Sequence, residues 1–352
     1  MAPDPAAGAA EPAHLTAVLR GAGVLGAGDS VREVAVESDR LTTLSRILRL
    51  RLAYDAPAVG APATMILKTA HPDRIGGGWN AGPHEVAFYE RVAGAVTPPT
   101  TPRCFEAQSD EASGAWHLLL EDLSGTHVIA TAWPLPPTTE DCARIVAARA
   151  RFHAALWDHP EFGRGIGAWF DQEGYVQRFA DVLARFLDRF GPLVPAERRE
   201  LYERLLAAPP RMFERQRSRR HLTILHGDAH VWNCFLPRDG GEDLRLFDWD
   251  SWRMGVGASD LAYMMAIHWY PDRRALLEAA LLDRYHEALL AHGVRGYDRA
   301  MLAEDYRRCV LWQATTPVWQ AVNGIPPVIW WNNLERVMLA VEDLGCRDLL
   351  TA

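Results

Sequence analysis

Apolar residues recur every second position through much of the first third of the chain and at helical spacing through most of the remainder. After an Ala- and Pro-rich start, residues 1–12, which predicts a disordered tail, an amphipathic helix begins near Pro12 with Leu15, Val18 and Leu19 on one face. Three strand-like segments follow at 31–37, 44–53 and 63–69, separated by the turn-prone stretches SDR and YDAPAVGAP. In the second, LSRILRLRLAY alternates apolar residues with Arg, as an antiparallel strand with one exposed face does. The Gly-rich stretch GGGWNAG, from Gly76 to Gly82, leads into a helix over about 83–92 that carries Glu85, Phe88, Tyr89 and Val92 at helical spacing. Two more strands are expected at 102–108 and 116–120, and the second runs into LEDLSG, a turn suited to an interlobe hinge.

From residue 140 the spacing is helical. Ile145, Ala148, Phe152, Ala155 and Leu156 define one apolar face over 140–157, with Arg149 at its edge, and further helices are expected at 175–190, 196–206, 261–269, 274–292, 300–316 and 330–344. Only the short apolar runs 222–225 and 244–247 interrupt this region as strands. The expected fold class is α+β: a small antiparallel β lobe over 13–123 and a larger, mainly helical lobe over 124–352. With 352 residues the chain exceeds a typical single core, and 49% apolar residues can fill two.

Composition narrows the function classes. A net charge of −8 argues against a nucleic-acid partner, which needs a basic face to neutralise phosphates. Five scattered cysteines without a C-x-x-C pair argue against a disulfide framework or a thiolate zinc site. The start lacks a basic n-region and an apolar h-region, and no apolar run approaches the roughly 20 residues of a spanning helix. A cytoplasmic protein without a membrane partner, monomeric or homodimeric, is expected. Of 37 basic side chains, Lys68 is the single lysine and the other 36 are Arg, which points to a site needing a compact ammonium in place of a planar fork. Lys68 ends the third strand and Glu85 begins the next helix, so the two are placed to meet.

The chemistry concentrates in LHGDAHVWNCFLPRDGGEDLRLFDWDSWRMGVGASDLAY, residues 225–263. Asp228 and Asn233 are five positions apart, the spacing of base and metal-binding amide in the protein-kinase loop H-R-D-x-x-x-x-N. Such a pair sets a carboxylate beside an attacking hydroxyl and an amide oxygen beside a hard cation that neutralises phosphates. Asp248, at the end of LRLF, is placed to supply an anionic ligand.

HGDAHVWN, FDWD and G-x-G-x-x-D-L-A, together with ATMILK, HEVAFYERV, LLLEDLSG, RYHEALLAHGV and EDYRRC, resemble the aminoglycoside phosphotransferase and choline-kinase-like superfamily, in particular its ecdysteroid-kinase-like branch. The resemblance covers roughly residues 30–310 and implies a protein-kinase-like bilobal fold. It implies that Lys68 binds the ATP phosphates and is oriented by Glu85. Backbone groups of Glu121, Asp122 and Leu123 would bind adenine, Asp228 would be the catalytic base, and Asn233 and Asp248 would be Mg²⁺ ligands. His226 and Asp260 would brace the catalytic loop, with His230 packed beneath it. The sequence departs from the pattern in one place: ESDRLTTLS has no glycine where kinases close a Gly-rich loop over phosphates, and Ser38, Thr42, Thr43 or Ser45 hydroxyls are the available substitutes.

Two other readings use the same residues. His226, Asp228, His230 and Asp248 are competent ligands for a mononuclear metal hydrolase, but that leaves Asn233, Lys68, Glu85 and the hinge unexplained. A pseudokinase module is the second, and the filled positions Lys68, Asp228, Asn233 and Asp248 argue for activity instead. The expected acceptor is a small-molecule hydroxyl, first a sugar- or nucleoside-containing antibiotic, then a choline-like, sugar or steroid alcohol. GTP in place of ATP stays open. Asp250, Trp252, Arg253, Trp269, Trp312 and Gln313 are the candidate acceptor contacts, as an aromatic pocket with convergent polar groups.

Overall fold

The protein, taken from a computed structural model, is described over residues 8–42, 44–74, 81–208 and 212–350. Thr43 and most of the Gly-rich stretch lie outside these residues. The chain forms two compact units, one of Met1–Ile129 and Phe235–Trp252, the other of Ala130–Cys234 and Arg253–Ala352. The first unit therefore takes a second segment after residue 234, which a single division after Leu123 does not contain.

The first unit is built on a five-stranded antiparallel sheet of order β1-β2-β3-β5-β4, with β1 at Val31–Leu41, β2 at Ser45–Tyr54, β3 at Thr64–Ala70, β4 at Cys104–Ser109 and β5 at Trp116–Glu121. The alternation in β2 sends Leu48, Leu50 and Leu52 into the core and leaves Arg51 exposed. Helix α1, Pro12–Gly21, covers that core with Leu15 and Leu19, both fully buried. The described end of the expected tail is ordered: residues 8–9 are helical and Ala9 is buried beside Leu15, because a small apolar side chain is enough to seat the turn.

The β1–β2 hairpin is longer than expected. The first strand runs on past residue 37 to Leu41, opposite Arg46, so Ser38 pairs opposite Arg49 inside the ladder and is not a turn residue. The turn is closed by its own side chain: the Thr42 hydroxyl accepts from the Ser45 amide at 3.0 Å and also bonds the Ser45 carbonyl and hydroxyl. Two of the hydroxyls expected to cover phosphates are thereby engaged with each other.

Helix α2, Gly82–Arg91, begins with Pro83 at its first turn. Gly82 is dictated by packing, since a Cβ there would lie 1.7 Å from the Trp116 ring. The segment Phe235–Trp252 adds a three-stranded sheet of order β6-β8-β9, with β6 at His127–Ile129, β8 at Cys234–Pro237 and β9 at Arg245–Leu246.

The second unit is helical. Its elements are α3 Thr139–Ala155, α4 Gln172–Phe190, α5 Ala196–Ala207, α6 Glu214–Ser218, α7 Ala258–Ala262, α8 Pro271–Ala291, α9 Arg299–Gln313, α10 Thr316–Val322 and α11 Pro327–Asp343. The antiparallel ribbon of β7, Thr223–Leu225, and β10, Arg253–Gly255, lies among them. Two expected helices are broken: 261–269 is α7 continued by a π-helical turn at Tyr263–Ile267, and 300–316 ends at Gln313, with α10 starting at Thr316–Pro317. Arg149 is not at the edge of α3; it is 1% exposed and directed at Asp260.

Candidate active site

In the first unit Lys68 on β3 and Glu85 on α2 meet, with Lys68 Nζ 2.6 Å from Glu85 Oε2 and 2.5 Å from Asp248 Oδ1. Glu85 is also tied to the chain beside Asp248, because its Oε1 accepts the Trp249 amide at 3.2 Å. The Trp249 ring stacks on Phe88 at 4.0 Å, which fixes the segment against α2. Asp248 sits in the left-handed region at φ 69°, an uncommon conformation for a non-glycine residue that its neighbours must hold in place.

The electrostatics follow from burial and pairing. Burial opposes charge on Lys68, but the Asp248 and Glu85 carboxylates overcome it and hold the ammonium protonated well above its ordinary range. Glu85 is shifted upward by its own burial, against the opposing pull of Lys68. Burial, reinforced by the Asp248 carboxylate, pushes Asp250 up to about 7. Two carboxylates crowded in this way form an oxygen-rich site whose repulsion a hard cation would relieve.

The hinge residues Glu121, Asp122 and Leu123 are already partly engaged. The Glu121 amide donates to the Arg103 carbonyl, Asp122 Oδ2 accepts from Arg49 at 2.6 Å, and the Leu123 carbonyl accepts the Thr126 and His127 amides.

The second unit centres on Asp228. Its Oδ1 accepts from the Tyr263 hydroxyl at 2.7 Å, and its Oδ2 lies 3.3 Å from His230 Nε2 and 3.3 Å from Asn233 Nδ2. Asn233 also donates to the Asp228 carbonyl at 3.0 Å, so its Oδ1 is the atom directed elsewhere. Burial works to raise the Asp228 pKa, yet the His230 charge and the His230 and Tyr263 hydrogen bonds hold it well below the usual carboxylate range. His230 thus touches the Asp228 carboxylate and does not merely pack beneath the loop.

The loop is held by Asp260 on α7, whose carboxylate accepts the His226 amide at 2.8 Å and the Gly227 amide at 3.2 Å. His153 and Arg149 of α3 approach the same carboxylate at 3.3 and 3.7 Å. They keep the buried acid ionised, well below its usual range, against the cost of burial. His226 contributes to the bracing through its backbone. Gly227 takes φ 84°, which turns the chain sharply between His226 and Asp228.

Several candidate acceptor contacts are committed elsewhere. Trp252 is buried, its indole N–H donates to the His84 carbonyl at 2.7 Å, and its ring stacks on His84 at 4.9 Å. Trp269 is buried beneath Arg273, and Gln313 is buried between Ser259 and Thr316, with its amide groups paired. Trp312 packs against Tyr175, Phe179 and Phe213. Trp252, Trp269 and Gln313 are thus interior side chains, and Trp312 is half-buried among aromatic rings. Arg253 is exposed on β10, and Asp250 lies beside Asp248.

Beside Asp228 the structure gathers other rings. His268 is 5.4 Å from Trp232, 5.4 Å from Tyr263 and 6.0 Å from His230, measured between centroids. The buried Trp232 Nε1 and His268 Nε2 have no hydrogen-bond partner. Burial, together with the nearby His230 and Arg336, lowers His268 to about 3 and keeps it neutral. Sequence reading missed Tyr263, Trp232, His268 and His153. Trp232, between Asp228 and Asn233, was the one detectable from position alone.

His226, Asp228 and His230 do not bring three donor atoms together as a metal-hydrolase site requires; among the described residues that arrangement occurs elsewhere.

A unit built on a five-stranded antiparallel sheet and carrying the lysine–glutamate pair, and a helical unit carrying the aspartate–asparagine loop, define a protein-kinase-like phosphotransferase fold. The family model described as "Phosphotransferase enzyme family" matches residues 56–302, and the chain belongs to that family. It is a small-molecule phosphotransferase acting on a hydroxyl group.

Solved structures agree on the fold. A putative aminoglycoside phosphotransferase from Ralstonia eutropha is similar at TM-score 0.59 and 16% identity, covering 96% of this chain and 98% of that one. A choline/ethanolamine kinase family protein from Mesorhizobium loti gives 0.52 and 16%, covering 96% of each chain. An amicoumacin kinase in complex with AMP-PNP and Ca²⁺ gives 0.52 and 13%, covering 93% of this chain and 92% of that one. No curated protein matches the sequence significantly. Among the described residues no helix is long and apolar enough to cross a membrane.

Proposed function

We propose that this protein transfers the γ-phosphoryl group of ATP to a hydroxyl of a sugar- or nucleoside-containing antibiotic, in the presence of Mg²⁺. The carrying observation is Asp228, an ionised, partly exposed carboxylate held by Tyr263, His230 and Asn233 in an aromatic setting. Its role is to orient the acceptor hydroxyl and take its proton late in the transfer.

Lys68, aligned by Glu85, is the proposed partner of the nucleotide phosphates. Asp248 and Asn233 are the proposed oxygen donors to Mg²⁺, and the crowded Asp248–Asp250 carboxylates fit a hard cation. When bound, such a cation supplies neutralisation of phosphate charge. The hinge residues Glu121–Leu123 are proposed for adenine, and Asp260 holds the loop so that Asp228 needs little reorganisation. The rings of Trp232, Tyr263 and His268, with the unpartnered Trp232 N–H and His268 nitrogen, suit a ring bearing several hydroxyls. Placement in the ecdysteroid-kinase-like branch and in the cytoplasm belongs to the same reading.

Incubating the purified protein with ATP and Mg²⁺ against sugar-containing antibiotics, nucleosides, choline and simple sugars tests this, read as a mass gain of one phosphate. Gain only on choline or a simple alcohol would replace the antibiotic acceptor. No gain on any compound, with nucleotide binding intact, would sink the acceptor class altogether.

A further inference from the structure

We propose that His14, Glu106 and His117 form a binding site for a zinc-type divalent cation that clips the N-terminal helix to the edge of the sheet. The site lies wholly within the first unit and does not depend on the phosphotransfer reading.

His14 comes from α1, Glu106 from the edge strand β4 and His117 from the neighbouring β5. In the register Gln108 lies opposite His117, so Glu106, two residues along β4, shares the sheet face of His117. Both imidazoles converge on one oxygen: Glu106 Oε2 is 2.6 Å from His14 Nε2 and 2.7 Å from His117 Nε2. One donor atom from each of the three residues lies within 4.8 Å of the others, and this is the one such group of His, Cys, Asp or Glu among the described residues.

Two imidazole nitrogens and a carboxylate are the donor set of an open tetrahedral zinc site. The rings are 6.0 Å apart at 77°, near the separation of about 5 Å that two imidazoles reach on a shared ion with metal–nitrogen bonds of about 2 Å. A cation replacing the hydrogen bonds needs the Glu106 oxygen to withdraw by less than about 1 Å, since donors on one tetrahedral ion lie about 3.3 Å apart. The carboxylate has an outer partner as well: Glu106 Oε1 accepts from Gln108 Nε2 at 3.1 Å, the kind of support that orients ligating carboxylates. The side chains are 31%, 15% and 12% exposed for His14, Glu106 and His117, so water has access to a fourth position.

The imidazole-rich set selects borderline ions over Mg²⁺, which prefers oxygen ligands. The chemistry is structural: α1 otherwise reaches the sheet through Leu15, Leu19 and a Thr16 hydroxyl that accepts the Val31 amide. A bound ion adds a cross-link from its first turn to β4 and β5.

The full-length protein, stripped with chelator and dialysed, is titrated with Zn²⁺ and with Co²⁺ in excess Mg²⁺. Expected are one equivalent bound, a tetrahedral Co²⁺ absorption band, a raised Tm, and slower amide exchange in α1. Glu106→Gln keeps a hydrogen-bond acceptor but removes the anionic ligand, and together with His117→Ala it abolishes the Co²⁺ band. Gln108→Ala weakens binding by about tenfold, as loss of an outer partner does. Tm without metal checks that each variant folds. A band that survives in both ligand variants, or no uptake by the native chain, overturns the site and leaves a hydrogen-bonded contact.

Discussion

Asn233 turns its amide nitrogen onto Asp228, donating to the backbone carbonyl at 3.0 Å and approaching the carboxylate at 3.3 Å. One side chain therefore fixes the orientation of the Asp228 carboxylate and aims its own oxygen away from it. Replacing Asp228 by Asn keeps the shape and removes the proposed proton acceptor. The expected result is a fall in kcat of about 10²–10⁴ with nucleotide affinity retained, measured by steady-state phosphotransfer and nucleotide titration. Asn233→Ala is expected to raise the Mg²⁺ concentration needed for half-maximal rate. Unchanged kcat in Asp228→Asn would falsify the assignment of the base.

Lys68 sits between Glu85 and Asp248, and a guanidinium is too broad for that space. Lys68→Arg, although it brings the chain's only lysine into line with its other basic residues, is expected to weaken nucleotide binding at least as much as Lys68→Met. Removal of the ammonium leaves Glu85 buried without its partner, and Lys68→Ala should destabilise the protein by about 3–5 kcal/mol in urea unfolding. An Arg variant binding nucleotide like the native protein would remove the special role of the ammonium.

Gly257 lies against the pair that supports Asp260. A Cβ there would be 2.2 Å from the Tyr285 hydroxyl and 3.0 Å from His153 Nδ1, which hydrogen-bond each other at 2.7 Å. Gly257→Ala is expected to cost about 1–3 kcal/mol through overpacking and to lower kcat without changing nucleotide affinity. Thermal unfolding and kinetics on the same sample check both.

His268 gives a pH dependence with a definite sign. Burial lowers its pKa to about 3 in the folded protein, against an ordinary value near 6.5. The neutral ring's contribution is thus fully present above about 6.5 and is lost as pH falls toward 3. His268→Gln should flatten the decline of stability across that window, read from urea midpoints at successive pH values. A variant with the native slope would show that another group governs it.

Trp232 is expected to act on the acceptor and not on the nucleotide. Trp232→Phe keeps an aromatic face and deletes the unpartnered N–H, so KM for the acceptor rises while the Kd for nucleotide stays constant. The opposite split would place Trp232 on the nucleotide.

The sheet of the first unit and the pairing of Lys68 with Glu85 were legible in the sequence, because strand alternation and a single ammonium are local signals. The loop residues Asp228 and Asn233 were legible from their spacing. His153 and Tyr263 were not, since they reach Asp260 and Asp228 from helices far away or one loop later, and a helical apolar pattern does not reveal a buried polar contact. Trp252, a candidate acceptor contact, shows the same limit: it is buried and its N–H is satisfied by the His84 carbonyl. The longer β1–β2 hairpin was hidden because polar residues at Ser38 and Asp39 look like a turn, while the ladder pairs them with Arg49 and Leu48.

The first unit's return segment, Phe235–Trp252, has a consequence for dissecting the molecule. A gene cut after Ile129 yields two polypeptides, the shorter lacking Asp248 and Trp249, the partners of its own Lys68 and Glu85. The longer piece holds the whole second unit together with this segment, while the first unit is divided between the two pieces, so co-expressed halves can recover activity only by reassembling, and reconstitution of phosphotransfer from separate fragments becomes a direct reporter of that association.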